Sequence, residues 1–113
     1  MGRSRLVTDE VMRGEVWWHE SPDDKPRPVL VLSRAAAVPV MTKVLAAPLT
    51  TTVRRIPSEV ALGVEDGVPK TCVVSLDNLA PVRKAHLTHR VTALGPDRLA
   101  EVCRAIAIAV DCD

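Results

Sequence analysis

The chain has 113 residues, 47% of them hydrophobic and 26% charged, which is the size and balance of one folded domain and excludes a disordered polyelectrolyte. Fifteen basic against fourteen acidic side chains leave a formal net charge of +1, too little for the whole-molecule field to capture a polyanion, so nucleic-acid binding would need a local basic patch. Two tryptophans are the only aromatics, which excludes the broad stacking platforms of sheet-type RNA binders.

Residues 1–12 are polar and aperiodic, and read as a flexible arm ahead of a domain over 13–113, with Met12 a candidate internal start. No apolar core follows Arg3 and Arg5, so no signal peptide is expected, and no apolar run approaches the ~20 residues of a membrane span. The expected location is the cytoplasm. Gly14 to His19 has strand composition, and alternation puts Val16 and Trp18 on one face with Trp17 on the other. Glu20 to Arg27 is rich in turn formers. Pro28 to Ser33 is a short continuous apolar run, as in a central strand buried on both faces, and Pro28 can stand only at its start. Ala35 to Pro39 suits a short helical turn, and Thr42 to Leu49 a third strand. A polar connection with Arg54 and Arg55 leads to short strands at Glu59–Leu62 and Thr71–Leu76, and a further one is expected at His89–Leu94. After Gly95-Pro96, the residues Leu99, Val102, Cys103, Ile106, Ala109 and Val110 fall on one helical face, with Arg98, Glu101 and Arg104 toward solvent. Pro96 or Asp97 supplies the helix start.

This order predicts an α+β, mainly β domain: a strongly curved antiparallel sheet or small barrel with one C-terminal helix over one side. Cys72, Cys103 and Cys112 form no metal-binding or disulfide pattern with one another or with His19, His86 and His89, so neither zinc nor a disulfide framework is expected. Cys72 and Cys103 read as buried small hydrophobes.

Glycine-rich phosphate loops, metalloprotease helices and serine-hydrolase elbows are missing. Three strand–loop junctions remain as candidates. Arg27 is held between Pro26 and Pro28, and its planar, permanently charged fork matches phosphate oxygens. Thr50, Thr51 and Thr52 end a strand with hydroxyls and turn N–H groups. Asp77 and Asn78 could hydrogen-bond a base edge or ribose, although such pairs also build ordinary turns. Arg54, Arg55, Arg83 and Lys84 are candidates for a basic patch, or for a merely solvated face.

Taken together, these segments resemble the MazF/PemK family of toxin ribonucleases, and its mycobacterial and actinobacterial members in particular. Arg13-Gly14-Glu15-Val16-Trp17 resembles the family's opening, and Lys25-Pro26-Arg27-Pro28-Val29-Leu30-Val31-Leu32-Ser33 its second strand. Ala46-Ala47-Pro48-Leu49-Thr50-Thr51, Ser58-Glu59-Val60 and Val74-Ser75-Leu76-Asp77-Asn78-Leu79 resemble later motifs in the same order. The likeness runs from Arg13 to Asp111. It implies an SH3-like curved sheet with a C-terminal helix, a homodimer with a groove across the two-fold axis, and sequence-specific cleavage of single-stranded RNA that arrests translation and growth. It further implies that Arg27 and Thr50 act on the scissile phosphate while the ribose 2′-hydroxyl attacks, needing no metal or cofactor and leaving a 2′,3′-cyclic phosphate and a 5′-hydroxyl. Ser33, Thr51, Thr52, Arg54, Arg55, Asp77 and Asn78 are the expected RNA contacts. A MazE-like antitoxin, acidic and partly disordered, is the expected protein partner. One departure is a shortened loop before Arg27, where Asp23 or Asp24 would stand in for a glutamate that many members carry. Two other readings share the scaffold: a protein-binding toxin like the gyrase-poisoning relatives, and a decayed member that only binds antitoxin.

Overall fold

The computed structural model describes residues 10–111. Of the expected arm, residues 1–9 lie outside the described residues, while Val11 packs against a buried cluster around Trp17. Cys112 also lies outside them.

Seven strands and one α-helix follow in chain order: β1 (Glu15–His19), β2 (Arg27–Val31), β3 (Lys43–Thr50), β4 (Glu59–Leu62), β5 (Cys72–Ser75), β6 (Ala80–Arg83), β7 (Leu87–Ala93) and α1 (Pro96–Val110). Short 3-10 turns occupy Val38–Val40, Val64–Asp66, Leu76–Asn78 and Lys84–His86. Every strand pairing is antiparallel, in the order β4-β5-β3-β2-β1-β7, with β6 also on β3.

The curvature comes from β3. Its Lys43–Ala46 stretch pairs with β6, and its Leu49–Thr50 end pairs with β5. Pro48, which has no N–H to give, stands where the partner changes. One long strand thus serves two short neighbours, and the sheet bends around it. The strand β6 escapes sequence inspection because Ala80-Pro81-Val82-Arg83 has neither alternation nor β-branched enrichment, and Pro81 is admissible only because such a strand can lie at an edge.

Period-2 alternation divides the interior in two. Val16, Leu30, Ala47, Leu49, Val60, Leu62 and Val74 face one way and pack with Val102 and Ala105 of α1. Trp17, Val29, Val31, Val44 and Ala46 face the other way, with Val38 and Leu87. The central-strand reading of β2 is correct, since Val29, Leu30 and Val31 are all buried. Each such side chain stabilises the fold by about 1.5–3 kcal/mol through removal of apolar surface from water.

The helix starts at Pro96 with Asp97 in its first turn and ends at Asp111 in a left-handed cap. Its inward face is Leu99, Val102, Ala105, Ile106 and Ala109. That is a correction to the expected stripe: Cys103 is exposed and Val110 is 53% exposed, because Val102 and Ala105 centre the contact and leave residues 103 and 110 at or beyond its edges. The sulfur of Cys103 instead accepts from the Arg13 guanidinium at 3.7 Å, while the same guanidinium donates to the Leu32 carbonyl. Cys72 is buried as expected, and burial pushes its thiol pKa up. No described helix is long and apolar enough to cross a membrane.

Candidate active site

The cleft lies on the sheet face opposite the helix, where β1, β2 and β3 end side by side. Pairing fixes its layout. In the β1–β2 ladder His19 is opposite Arg27, and in the β2–β3 ladder Val29 is opposite Pro48. Continuing the second register by two residues on each strand sets Arg27 opposite Thr50. Directly opposed residues in antiparallel strands share a face with Cα atoms about 4.5–5.5 Å apart. His19, Arg27 and Thr50 therefore form one transverse row. All three line an open cleft of about 410 Å³, with Val29, Ala46 and Pro48 on its floor and Ala80 and Val82 of β6 on one wall.

Arg27 sits at the boundary between this cleft and a second depression of about 510 Å³ on the other side of the strand ends. Its Nε donates to the Lys25 carbonyl at 3.5 Å, and one terminal nitrogen is 3.7 Å from Asp24 Oδ1. With 37% of its side chain exposed, the guanidinium keeps donors free for a ligand. Of the two loop carboxylates, Asp24 reaches the cleft and Asp23 is not among its lining residues.

Thr50 is half-buried, and its Oγ1 accepts the Thr52 N–H at 3.1 Å, so the hydroxyl proton points elsewhere. Thr52 lines both depressions and Thr51 only the second. Arg54 lines the first. The backbone N–H groups of Arg54 and Arg55 both donate to Glu59 Oε1, at 3.0 and 3.1 Å, with Arg55 in the left-handed region at φ 59°. Glu59 thus shapes the basic connection over the cleft that it also lines. Asn78 lines the cleft and donates to Ser75 Oγ at 2.8 Å. Asp77 accepts from Ser58 Oγ at 2.6 Å and is not among the lining residues. Ser33 does not join the group: it follows the far end of β2, is buried, and accepts the Leu45 N–H at 2.8 Å.

His19, Glu59 and Ser75 are cleft residues that inspection of the sequence does not single out. His19 is only 7% exposed. Burial lowers its pKa, with His86 and Arg27 adding positive potential and Asp24 opposing them. The rings of His19 and His86 meet edge-on at 5.9 Å between centroids. The available signal was pairing: a hairpin across Glu20–Pro26 places the last residue of β1 against the first of β2. Among the described residues no three His, Cys, Asp or Glu side chains converge in a manner that could hold a metal ion.

A fixed guanidinium, a hydroxyl and basic loop residues around an open groove form a surface fitted to a phosphodiester. Comparison with known proteins points the same way. A family model for PemK-like, MazF-like toxins of type II toxin–antitoxin systems matches residues 12–110. Probable endoribonuclease MazF5 of Mycobacterium tuberculosis is 45% identical over 101 residues, spanning 88% of this chain and 93% of that protein. The structure of Mycobacterium tuberculosis toxin MazF-mt6 superposes with a TM-score of 0.81 at 33% identity, covering 88% of this chain and 98% of the other. A mycobacterial endoribonuclease solved in complex with its cognate antitoxin gives a TM-score of 0.81 at 29% identity, over 91% and 97% of the two chains.

Proposed function

Since the chain belongs to the PemK-like, MazF-like toxins of type II toxin–antitoxin systems, we propose that it is an endoribonuclease that cuts single-stranded RNA at the strand ends of β1–β3. The observation that carries this reading is the convergence of Arg27 and Thr50 on one open cleft.

The reaction uses what the substrate already holds. The ribose 2′-oxygen attacks the adjacent phosphorus, the bond to the 5′-oxygen breaks, and a 2′,3′-cyclic phosphate and a 5′-hydroxyl result. Negative charge grows on the phosphoryl oxygens along this path. Arg27, kept in place by its flanking prolines and by Lys25 and Asp24, supplies a preorganised cation there. Thr50 positions the phosphate through its free hydroxyl proton. Thr51, Thr52, Arg54, Arg55 and Asn78 guide the flanking nucleotides, and Asp77, bonded to Ser58, supports the turn that carries Asn78. The physiological assembly is a homodimer in the cytoplasm, and a MazE-like antitoxin with an acidic segment competes with RNA for the basic groove.

The test is incubation of the purified protein with long unstructured RNA in EDTA, with Arg27→Ala alongside and the new ends mapped chemically. Discrete cuts with 5′-hydroxyl ends, slowed on the order of 10²–10³-fold in the variant, are expected. A folded protein that binds RNA and leaves it intact would refute the ribonuclease reading and favour a purely binding toxin.

A further inference from the structure

We propose that His19 is the general base of the cleavage, taking the proton of the attacking 2′-hydroxyl. The inference rests on the ribonuclease reading above, which by itself leaves that proton without an acceptor.

Position comes first. His19 occupies the end of the row that continues through Arg27 to Thr50, and it lines the cleft that both of them line. For a phosphate seated between Arg27 and Thr50, this role turns the ribose on its 3′-linked side toward one neighbouring strand end. On the β1 side of the row that end is His19.

The other acceptors in the cleft each already have one oxygen engaged. Glu59 Oε1 accepts two backbone N–H groups from the Arg54–Arg55 turn. Asp24 sits 3.7 Å from the Arg27 guanidinium, and its carboxylate also accepts the Lys25 N–H at 3.0 Å. Thr50 Oγ1 accepts from the Thr52 amide, and an unperturbed hydroxyl is a weak base.

The electrostatics suit the role. The groups around the imidazole are Arg27 on β2, Asp24 in the β1–β2 loop, and His86 in the 3-10 turn before β7. Burial is the largest influence, and together with His86 and Arg27 it outweighs Asp24, so the surroundings favour the neutral ring. A neutral imidazole has a lone pair to offer for proton abstraction.

The step balances without a further reagent. The proton passes from the 2′-oxygen to an imidazole nitrogen as the O2′–P bond forms. The P–O5′ bond breaks with its electron pair on O5′, which takes a proton from water in the open cleft. The imidazolium then returns its proton to solvent.

Single-turnover cleavage by wild type, His19→Gln and His86→Ala across pH 4.5–8.5 tests the proposal. Binding of an uncleavable RNA, with a 2′-deoxy nucleotide at the cut site, reports folding and occupancy. The expected result is a wild-type rate that is flat near neutrality and falls about tenfold per pH unit below the depressed histidine value. His19→Gln should lose on the order of 10²–10³-fold in rate, lose that acid limb, and bind the 2′-deoxy RNA as wild type does. His86→Ala should move the limb upward, because a positive neighbour is gone. A substrate with a 5′-bridging sulfur, whose leaving group needs no proton, should remain slow with His19→Gln. Restoration of the rate by that sulfur would make His19 the acid, and an unchanged rate and pH profile would remove it from the reaction; either overturns the proposal. If His19→Gln fails to fold, the wild-type limb must still coincide with the His19 titration followed by NMR, and a mismatch overturns it. Wild type that leaves RNA uncut fails the ribonuclease reading itself and takes this inference with it.

Discussion

Replacing Glu15 by alanine removes a buried carboxylate that three donors share. Its Oε1 accepts the Trp17 indole N–H and the Met12 backbone N–H, each at 2.9 Å, and its Oε2 accepts from Arg90 at 3.1 Å. Glu15 is 5% exposed and Trp17 3%, so an alanine leaves the indole donor buried without a partner, at about 1–3 kcal/mol. The Met12 amide is only partly buried and can turn to water, at about 0.5–1 kcal/mol. The Arg90 side chain is 60% exposed, so its ion pair contributes about 0–1 kcal/mol. Relief of the carboxylate's own desolvation offsets part of this, leaving a net loss of about 2–3 kcal/mol. For a domain of this size that lowers Tm by roughly 8–13 °C. Glu15→Gln keeps an acceptor oxygen in the same place and should lose about 1 kcal/mol. Urea unfolding followed by circular dichroism measures both, read from the midpoint at constant slope. An alanine variant within 0.5 kcal/mol of wild type, or a glutamine variant as weak as alanine, would refute the assignment of the effect to orphaned donors.

Gly67 has φ +91°, and a Cβ there would lie 2.3 Å from Thr92 Oγ1, which itself donates to the Asp66 carbonyl. Gly67→Ala should destabilise by about 2 kcal/mol or more, visible in the same urea midpoint. The Arg98 guanidinium, then the Gly63 N–H, hold the Asp66 carboxyl below its ordinary value. A folded pKa below the unfolded one gives stability that is complete above pH 3.8 and lost as pH falls through the folded value. His19, also depressed, makes the unfolded chain bind protons first as pH drops below 6.5, so stability should already decline there. Midpoints against pH should therefore show two declines, with Asp66→Asn flattening only the lower one.

Much of the fold was legible because burial leaves a period in the chain. The apolar run over Pro28–Ser33 betrayed a strand covered on both faces, and the α1 stripe gave the helix. Its edges were less legible: Cys103 satisfies the spacing of the stripe but lies outside the contact that Val102 and Ala105 make. The strand β6 is held by its ladder to Lys43–Ala46 and has little of its own to advertise it. At the site, Arg27 and Thr50 stood out through flanking prolines and family motifs. His19 and Glu59 did not, since their places in the cleft arise from which residues pairing sets beside them. Glu59 was visible within a strand motif, but its carboxylate's reach to the Arg54 and Arg55 amides is a tertiary fact. Ser33 shows the converse: it shares a motif with Arg27, yet the length of β2 carries it to the other end of the sheet.

The row across β1, β2 and β3 has a consequence for the chain before it folds. The β1–β2 hairpin brings His19 to Arg27, but Thr50 reaches them only when β3 pairs with β2. A growing or unfolded polypeptide carries every one of these groups yet does not bring all three to one cleft. On the proposed reading, harm to RNA waits until three strands have closed side by side, and the sheet is its own safety catch.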